Sequence, residues 1–198
     1  MRLQEVHFEE LLSRIGTAEP TVSGSSASLI AGRIGVAMAR MALAVSRKHG
    51  VDNEMAIEKL DSISARLVDA GERDRAASLA LIKALRDGTD GSVHRRALTD
   101  ATREPLAAAY LLVELLEHLD EAEPGIRKPV GSDFFGGIEL ISGAFTAVMM
   151  AVEANLQHEA AGDLEDRTRQ NRLELYRRRD VTIEALRSRP LGRELRSC

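Results

Sequence analysis

Apolar residues in this chain recur at intervals of three and four along almost its whole length, and no stretch alternates apolar and polar residues long enough to make a strand. That single period restricts the fold to packed helices. The first helical pattern covers 3–15 and stops at Gly16, with Leu11, Leu12 and Ile15 inward. A second runs over 25–48, where Ile30, Ile34, Met38, Met41 and Val45 make one stripe and Gly50 marks the stop. A third begins at Asp52, a good N-cap, and continues through Leu60, Ile63, Leu67, Leu81 and Leu85 to Gly88, with Gly71 as a possible break. The fourth spans 92–118. Pro105 lies inside it, so a kink or a junction of two helices is expected near Glu104. Residues 121–131, with Pro124 and Pro129, read as a loop. The fifth helix carries the stripe Phe134, Ile138, Ile141, Phe145, Val148 and Val152, with Ser132 and Asp133 as caps. A charged sixth covers 164–187 and ends at Pro190, and 188–198 reads as a loose tail.

The expected fold is therefore all-α, a bundle of about six helices. At 198 residues the chain suits one domain, over 1–198. Aromatic residues make up 3% and tryptophan is absent, so Ala, Leu and Met must fill the core. Glycine inside a helix costs about 1 kcal/mol against alanine. Gly32, Gly35, Gly136, Gly137 and Gly143 nevertheless sit inside the second and fifth helices, which points to close backbone approach by a helix, a subunit or a ligand.

Composition narrows function mostly by exclusion. A net charge of -4 disfavours a protein built on phosphate-backbone contacts, and the basic run over 167–179 is interleaved with acids as a solvated or subunit-facing surface is. Cys198 is the only cysteine and the last residue, so no intrachain disulfide can form. The histidines are scattered without metal-ligand spacing, and no metal is expected. The N-terminus meets charge at once, and the apolar run over 140–152 is too short to span a bilayer; a soluble, cytoplasmic protein with no membrane or nucleic-acid partner is expected.

Three places hold chemistry. The loop Val22-Ser23-Gly24-Ser25-Ser26-Ala27-Ser28 enters the second helix with several backbone N–H groups unpaired, in the positive field of the helix end. It could seat a carboxylate or phosphate, or Ser23 or Ser25 could simply cap the helix. It lacks the Lys-Ser/Thr pair of a P-loop and the pattern of a nucleophile elbow. Asp133, after Gly131-Ser132, is either a general acid/base, a partner for a cationic substrate group, or a cap with a favourable first-turn charge. Asp74 lies between Arg73 and Arg75, a pattern typical of a solvated face with local ion pairs.

The run Pro20-Thr21-Val22-Ser23-Gly24-Ser25-Ser26-Ala27-Ser28-Leu29-Ile30-Ala31-Gly32 resembles the opening signature of the formiminotetrahydrofolate cyclodeaminase/methenyltetrahydrofolate cyclohydrolase family, a Pro-Thr-Pro-Gly-Gly-Gly loop entering an Ala/Gly-rich helix. Ala101-Thr102-Arg103-Glu104-Pro105-Leu106 is similar to the family's Ala-Thr-x-x-Pro-Leu segment. Gly131-Ser132-Asp133 and the helix reaching Asn155 resemble its Ser-Asp-Ala-Gly helix. The resemblance implies an up-and-down bundle that dimerises and takes a tetrahydrofolate derivative as substrate, without metal or redox cofactor. It implies hydrolysis of 5,10-methenyltetrahydrofolate or deamination of 5-formiminotetrahydrofolate by a stand-alone enzyme. Asp133 or Asp74 would be the acid/base, and Thr21, Ser23, Gly24, Ser25, Ser26, Ser132 and Asn155 would bind substrate. Several positions depart from the pattern: Val22, Ser23 and Ser25 in the loop, Ala44, and Ala76 to Ser78 beside Asp74. They leave a competing class, a non-catalytic dimeric helical protein on the same scaffold.

Overall fold

A computed structural model describes residues 7–18, 21–88 and 91–195. Among these there is no strand. The helices are α1 (Phe8–Ile15), α2 (Gly24–Lys48), α3 (Glu54–Arg86), α4 (Gly91–Ala122), α5 (Gly131–Leu156), α6 (Leu164–Ser188) and the short α7 (Pro190–Glu194). Residues 3–6 of the expected first helix, Pro20 and Cys198 lie outside the described residues.

Helices α2 to α5 form an up-and-down four-helix bundle in which each packs on its neighbours in sequence and α5 closes on α2. Ion pairs across the seams give the directions. Arg40 meets Asp61 and Arg47 meets Glu54 between α2 and α3; Lys59 meets Glu121, Arg66 meets Glu114 and Arg73 meets Glu104 between α3 and α4. Most of these pairs are exposed, each contributing under about 1 kcal/mol. They mark register more than they supply stability. The core is aliphatic, with Leu43, Leu60, Leu67, Leu112, Leu115 and Leu116 fully buried around Phe134 and Phe145. Helix α6 lies on α4, with Leu175 and Leu186 inward and Arg178 paired with Glu117.

Several boundaries differ from the sequence expectation. Gly71 causes no break: α3 is continuous, and a side chain at Gly71 would meet only Leu29. Pro105 also stays inside one unbroken helix. The expected loop over 121–131 yields its first two residues to α4 and is then shaped by two 3₁₀ turns, Glu123–Gly125 and Lys128–Val130. Asn53, not Asp52, stands at the α3 N-terminus, and its amide reaches Leu43 and Gly125 carbonyls instead of capping. Ser132 and Asp133 do not cap α5, which begins at Gly131 and so places them within its first turn. Within the stretch expected as a tail, α7 folds back so that Gly192 is buried against Phe135. Residues 196–198 lie outside the described ones.

Of the five helix-interior glycines, Gly35 and Gly137 face each other so closely that a methyl on either would meet the other's carbonyl oxygen. Gly143 has no neighbour near enough to explain it. The segments Gly24–Lys48 and Lys128–Leu156 have mean hydropathies of 1.5 and 1.7, and both are long and apolar enough to cross a membrane by length and composition. This corrects the expectation that no stretch is long enough. Each also packs one face into the bundle, as core helices do.

Candidate active site

The loop before α2 ends at Ser23, whose extended backbone and side chain make it the N-cap: Ser26 N–H donates to its Oγ at 3.1 Å. The capping reading of the loop therefore describes Ser23. It is not the whole story, because an anion also sits at this helix end, and the protein supplies it. Asp74, from the middle of α3, is fully buried. Its carboxylate accepts from Ser26 Oγ at 2.5 Å, Ser25 Oγ at 2.8 Å and Ser23 Oγ at 3.3 Å. Three hydroxyls and the positive end of the α2 dipole thus converge on one carboxylate.

The placement of Asp74 corrects its reading as part of a solvated face. Successive helical side chains diverge by about 100°. Arg73 and Arg75 accordingly turn outward to Glu104 and Glu72, while Asp74 turns in. No guanidinium or ammonium pairs with it among the described residues. Burial pushes its carboxyl above the usual carboxylate range; the three serine hydroxyls oppose this without reversing it, and the charge on Glu104 adds to it. Glu104 moves the other way. Against the upward push of its own partial burial, Arg103 and Arg73 hold its carboxyl below the ordinary range.

Beside this cluster lies a cavity of about 390 Å³, within the range of small-molecule sites. Ser23, Gly24, Ser25 and Ser28 of the loop and α2 line one side, Ser78 and Leu81 of α3 a second, Ala101 of α4 a third, and Ala147, Met150, Ala154 and Asn155 of α5 the last. Ser23 and Ser25 touch both the cavity and Asp74, so a single hydroxyl stands between the buried carboxyl and the cavity. Ser78 was missed by sequence reasoning, although it lies one helical turn after Asp74 on the same face of α3.

Asn155 has its orientation set by Pro105. Proline lacks the N–H that would bond the carbonyl four residues back, which is Ala101. Asn155 Nδ2 donates to that carbonyl at 2.9 Å, and the side chain is thereby held at the cavity wall. Asn155→Ala is expected to cost about 1–3 kcal/mol in a urea melt, the price of a buried acceptor left unpaired. Adding Pro105→Ala supplies a backbone N–H to the same carbonyl and should return most of that loss. Additive effects in the double-mutant cycle would reject the link.

The remaining expected site residues separate. Thr21 is exposed and does not line the cavity. Ser132 borders a different groove, with Phe135, Glu139 and Gly192. Asp133 lies beside it, 22 residues from Asn155, or about 33 Å at the rise of a helix. Within one chain, Asp74, the Ser23–Ser26 cluster and Asn155 converge; Asp133 and Ser132 do not. Among the described residues no three His, Cys, Asp or Glu side chains come together as metal ligands.

Fold and site together define a class: a helical bundle with a buried carboxyl group, ringed by serine hydroxyls, at the edge of an apolar cavity. The whole architecture matches formiminotetrahydrofolate cyclodeaminase from Thermotoga maritima with a TM-score of 0.88 at 17% identity, covering 98% of this chain and 99% of that one. No curated protein sequence matches. The family model for formiminotransferase-cyclodeaminase matches residues 7–174, and the chain belongs to that family.

Proposed function

We propose that the chain is a one-carbon folate enzyme, hydrolysing 5,10-methenyltetrahydrofolate or deaminating 5-formiminotetrahydrofolate, with Asp74 as its acid/base. The observation that carries this reading is the buried Asp74 carboxyl group, joined through Ser23 and Ser25 to a cavity that both residues line.

Both reactions pass through a tetrahedral carbon between the folate N5 and N10. In hydrolysis, water adds to the cationic methenyl carbon; its proton passes to a serine Oγ as that hydroxyl's own proton passes to Asp74. The carbon–N5 bond then breaks to leave the 10-formyl product, with N5 taking the returned proton. In deamination, N10 attacks the formimino carbon, loses its proton by the same route, and ammonia leaves with a proton returned to it. The carboxylate also favours the amidinium charge, and its low-dielectric setting strengthens that effect. Asn155 and the Ser28 and Ser78 hydroxyls offer polar contacts to a pterin edge, while Leu81, Ala147 and Met150 supply apolar walls. The cavity suits the pterin ring, with the rest of the folate extending outward. The family resemblance adds a homodimer that needs neither metal nor redox cofactor, acting in the cytoplasm away from membranes and nucleic acid.

Purified protein mixed with 5,10-methenyltetrahydrofolate should remove the methenyl absorbance faster than buffer does. With 5-formiminotetrahydrofolate the same absorbance should instead appear, together with ammonia. Neither change, joined to no thermal shift by any reduced folate, would reject the reading.

A further inference from the structure

Three hydroxyls surround the Asp74 carboxyl, and they do not open on the same space. Ser23 and Ser25 line the cavity described above. Ser26, whose Oγ lies 2.5 Å from Asp74 Oδ2, does not line it. Ser26 borders a second, much smaller niche further along the α2–α3 seam, together with Leu29, Arg33, Gly71 and Glu72. The volume of this niche is about 20 Å³, enough for one water molecule and for nothing larger. Its polar walls suit a water. The Arg33 guanidinium offers donors, the Glu72 carboxylate accepts, and the Ser26 hydroxyl can do either. The Glu72 side chain is 26% exposed and pairs with Arg75 at 3.4 Å, so its carboxylate also meets solvent.

We infer that Ser26, one water held in this niche and Glu72 form a proton exit from Asp74, separate from the cavity that takes substrate. The inference rests on the reading of the chain as a methenyltetrahydrofolate hydrolase. Charge balance is why an exit matters. The methenyl carbon enters as part of a cation and leaves as an uncharged formyl group, so each turnover leaves one proton on Asp74. While product still fills the cavity, that proton is the reagent of the reverse reaction, which closes the ring and expels water. Bound material covers the cavity side, where Ser23 and Ser25 lie, and leaves the niche side open.

The transfer balances bond by bond. The Asp74 O–H bond breaks as its proton joins Ser26 Oγ, and the original Ser26 proton moves to the niche water. One proton of that water passes to Glu72, from which bulk water takes it. Ser26, the niche water and Glu72 end with the protons they began with, and Asp74 is ionised again. Rotation about the Ser26 Cβ–Oγ bond then returns its hydroxyl to Asp74. Ser26 and Glu72 are positioning residues, because they act on Asp74 and line no part of the substrate cavity.

Two substitutions test the route from different ends. Gly71→Ala plugs the niche, and the added Cβ would meet only Leu29, at 3.8 Å, so the fold has room for it. Glu72→Gln leaves the niche open and removes its proton acceptor. With saturating methenyltetrahydrofolate each variant should show kcat lowered several-fold, KM unchanged and wild-type far-ultraviolet dichroism. Added imidazole, after subtraction of the buffer-catalysed background, should restore kcat in Glu72→Gln, whose niche still opens to solution, and leave Gly71→Ala slow. A merely structural lesion has no such dependence on buffer. Wild-type kcat in either variant, or a slow Glu72→Gln that imidazole does not rescue, would overturn the relay while the hydrolase reading stands. A wild type that leaves methenyltetrahydrofolate untouched rejects hydrolysis itself, and the relay with it.

Discussion

Asp74→Asn is expected to lower kcat/KM for methenyltetrahydrofolate hydrolysis by about 10²–10⁴-fold, the range for loss of a positioned acid or base. The fold should survive the change. An amide at position 74 fills the same volume, can still accept through its oxygen, and can turn its NH₂ toward serine oxygens that also accept. Retained activity above a tenth of wild type would remove Asp74 from the acid/base role, whatever the family. Stability supplies a second readout with a defined sign. Burial raises the Asp74 carboxyl in the folded chain above its unfolded value. As pH climbs from the unfolded carboxylate range near about 4, the unfolded chain has released a proton that the folded chain still holds. The Asp74 contribution to wild-type stability should therefore fall through that window and level off once the folded carboxyl has ionised. Asp74→Asn lacks this titration, so its stability relative to wild type should improve as pH rises across the window. The activity profile should move in step, with the base form appearing above the raised carboxyl value. A flat difference between the two melts across that range would mean that the three hydroxyls fully compensate the burial.

What was legible in the sequence, and what was not, follows from how local each signal is. The helices could be read from apolar spacing because a period of three to four reports local geometry, and the family could be read because its loop and helix residues are contiguous. The serine loop reads as a seat for a ligand anion or as a cap; Ser23 caps α2, and the loop's hydroxyls face the carboxyl group of Asp74, from a helix 48 residues away. No local pattern announces that pairing. From its arginine neighbours alone Asp74 reads as part of a solvated face, and only the family resemblance marks it as a candidate acid/base, yet adjacent residues on a helix point about 100° apart. Pro105 and Asn155 were each noticed separately. Their connection runs through the Ala101 carbonyl and exists only once α4 and α5 lie antiparallel. Within one chain Asp133 lies apart from Asp74 for the opposite reason: it shares a helix with Asn155, but that helix is long enough to hold them at opposite ends of the bundle. The glycines show the same limit. A costly helix-interior glycine does imply a reason, and for Gly35 and Gly137 the reason is backbone contact inside the chain, while for Gly143 nothing among the described residues provides one.

The largest stability effect is expected at that contact. Gly137→Val should destabilise the fold by about 3 kcal/mol, the upper end of what overpacking usually costs and a large share of the roughly 5–15 kcal/mol that a domain of this kind commands. A Cβ on Gly137 would lie 3.1 Å from the Ala39 backbone nitrogen and closer still to the Gly35 carbonyl oxygen. Both are backbone atoms held by the α2 ladder, so no side-chain rotation relieves the clash. The helices must move apart, and α2 and α5 share the most extensive seam in the molecule. Separation would also open the cavity, since Ser25 and Ser28 stand on one of these helices and Met150 and Asn155 on the other. Gly137→Ala, with a smaller clash, should lose about half as much, and Gly35→Ala should behave alike because its Cβ meets the Gly137 carbonyl and lies 2.9 Å from Leu140 Cβ. Gly143→Ala separates packing from propensity. With nothing within 4 Å of its added Cβ, it should be neutral or gain up to about 1 kcal/mol, as an alanine in an open helical position does. If Gly137→Val melts within about 1 kcal/mol of wild type, at or below the low end of what an overpacked core site costs, the close α2–α5 approach cannot be what holds this bundle together.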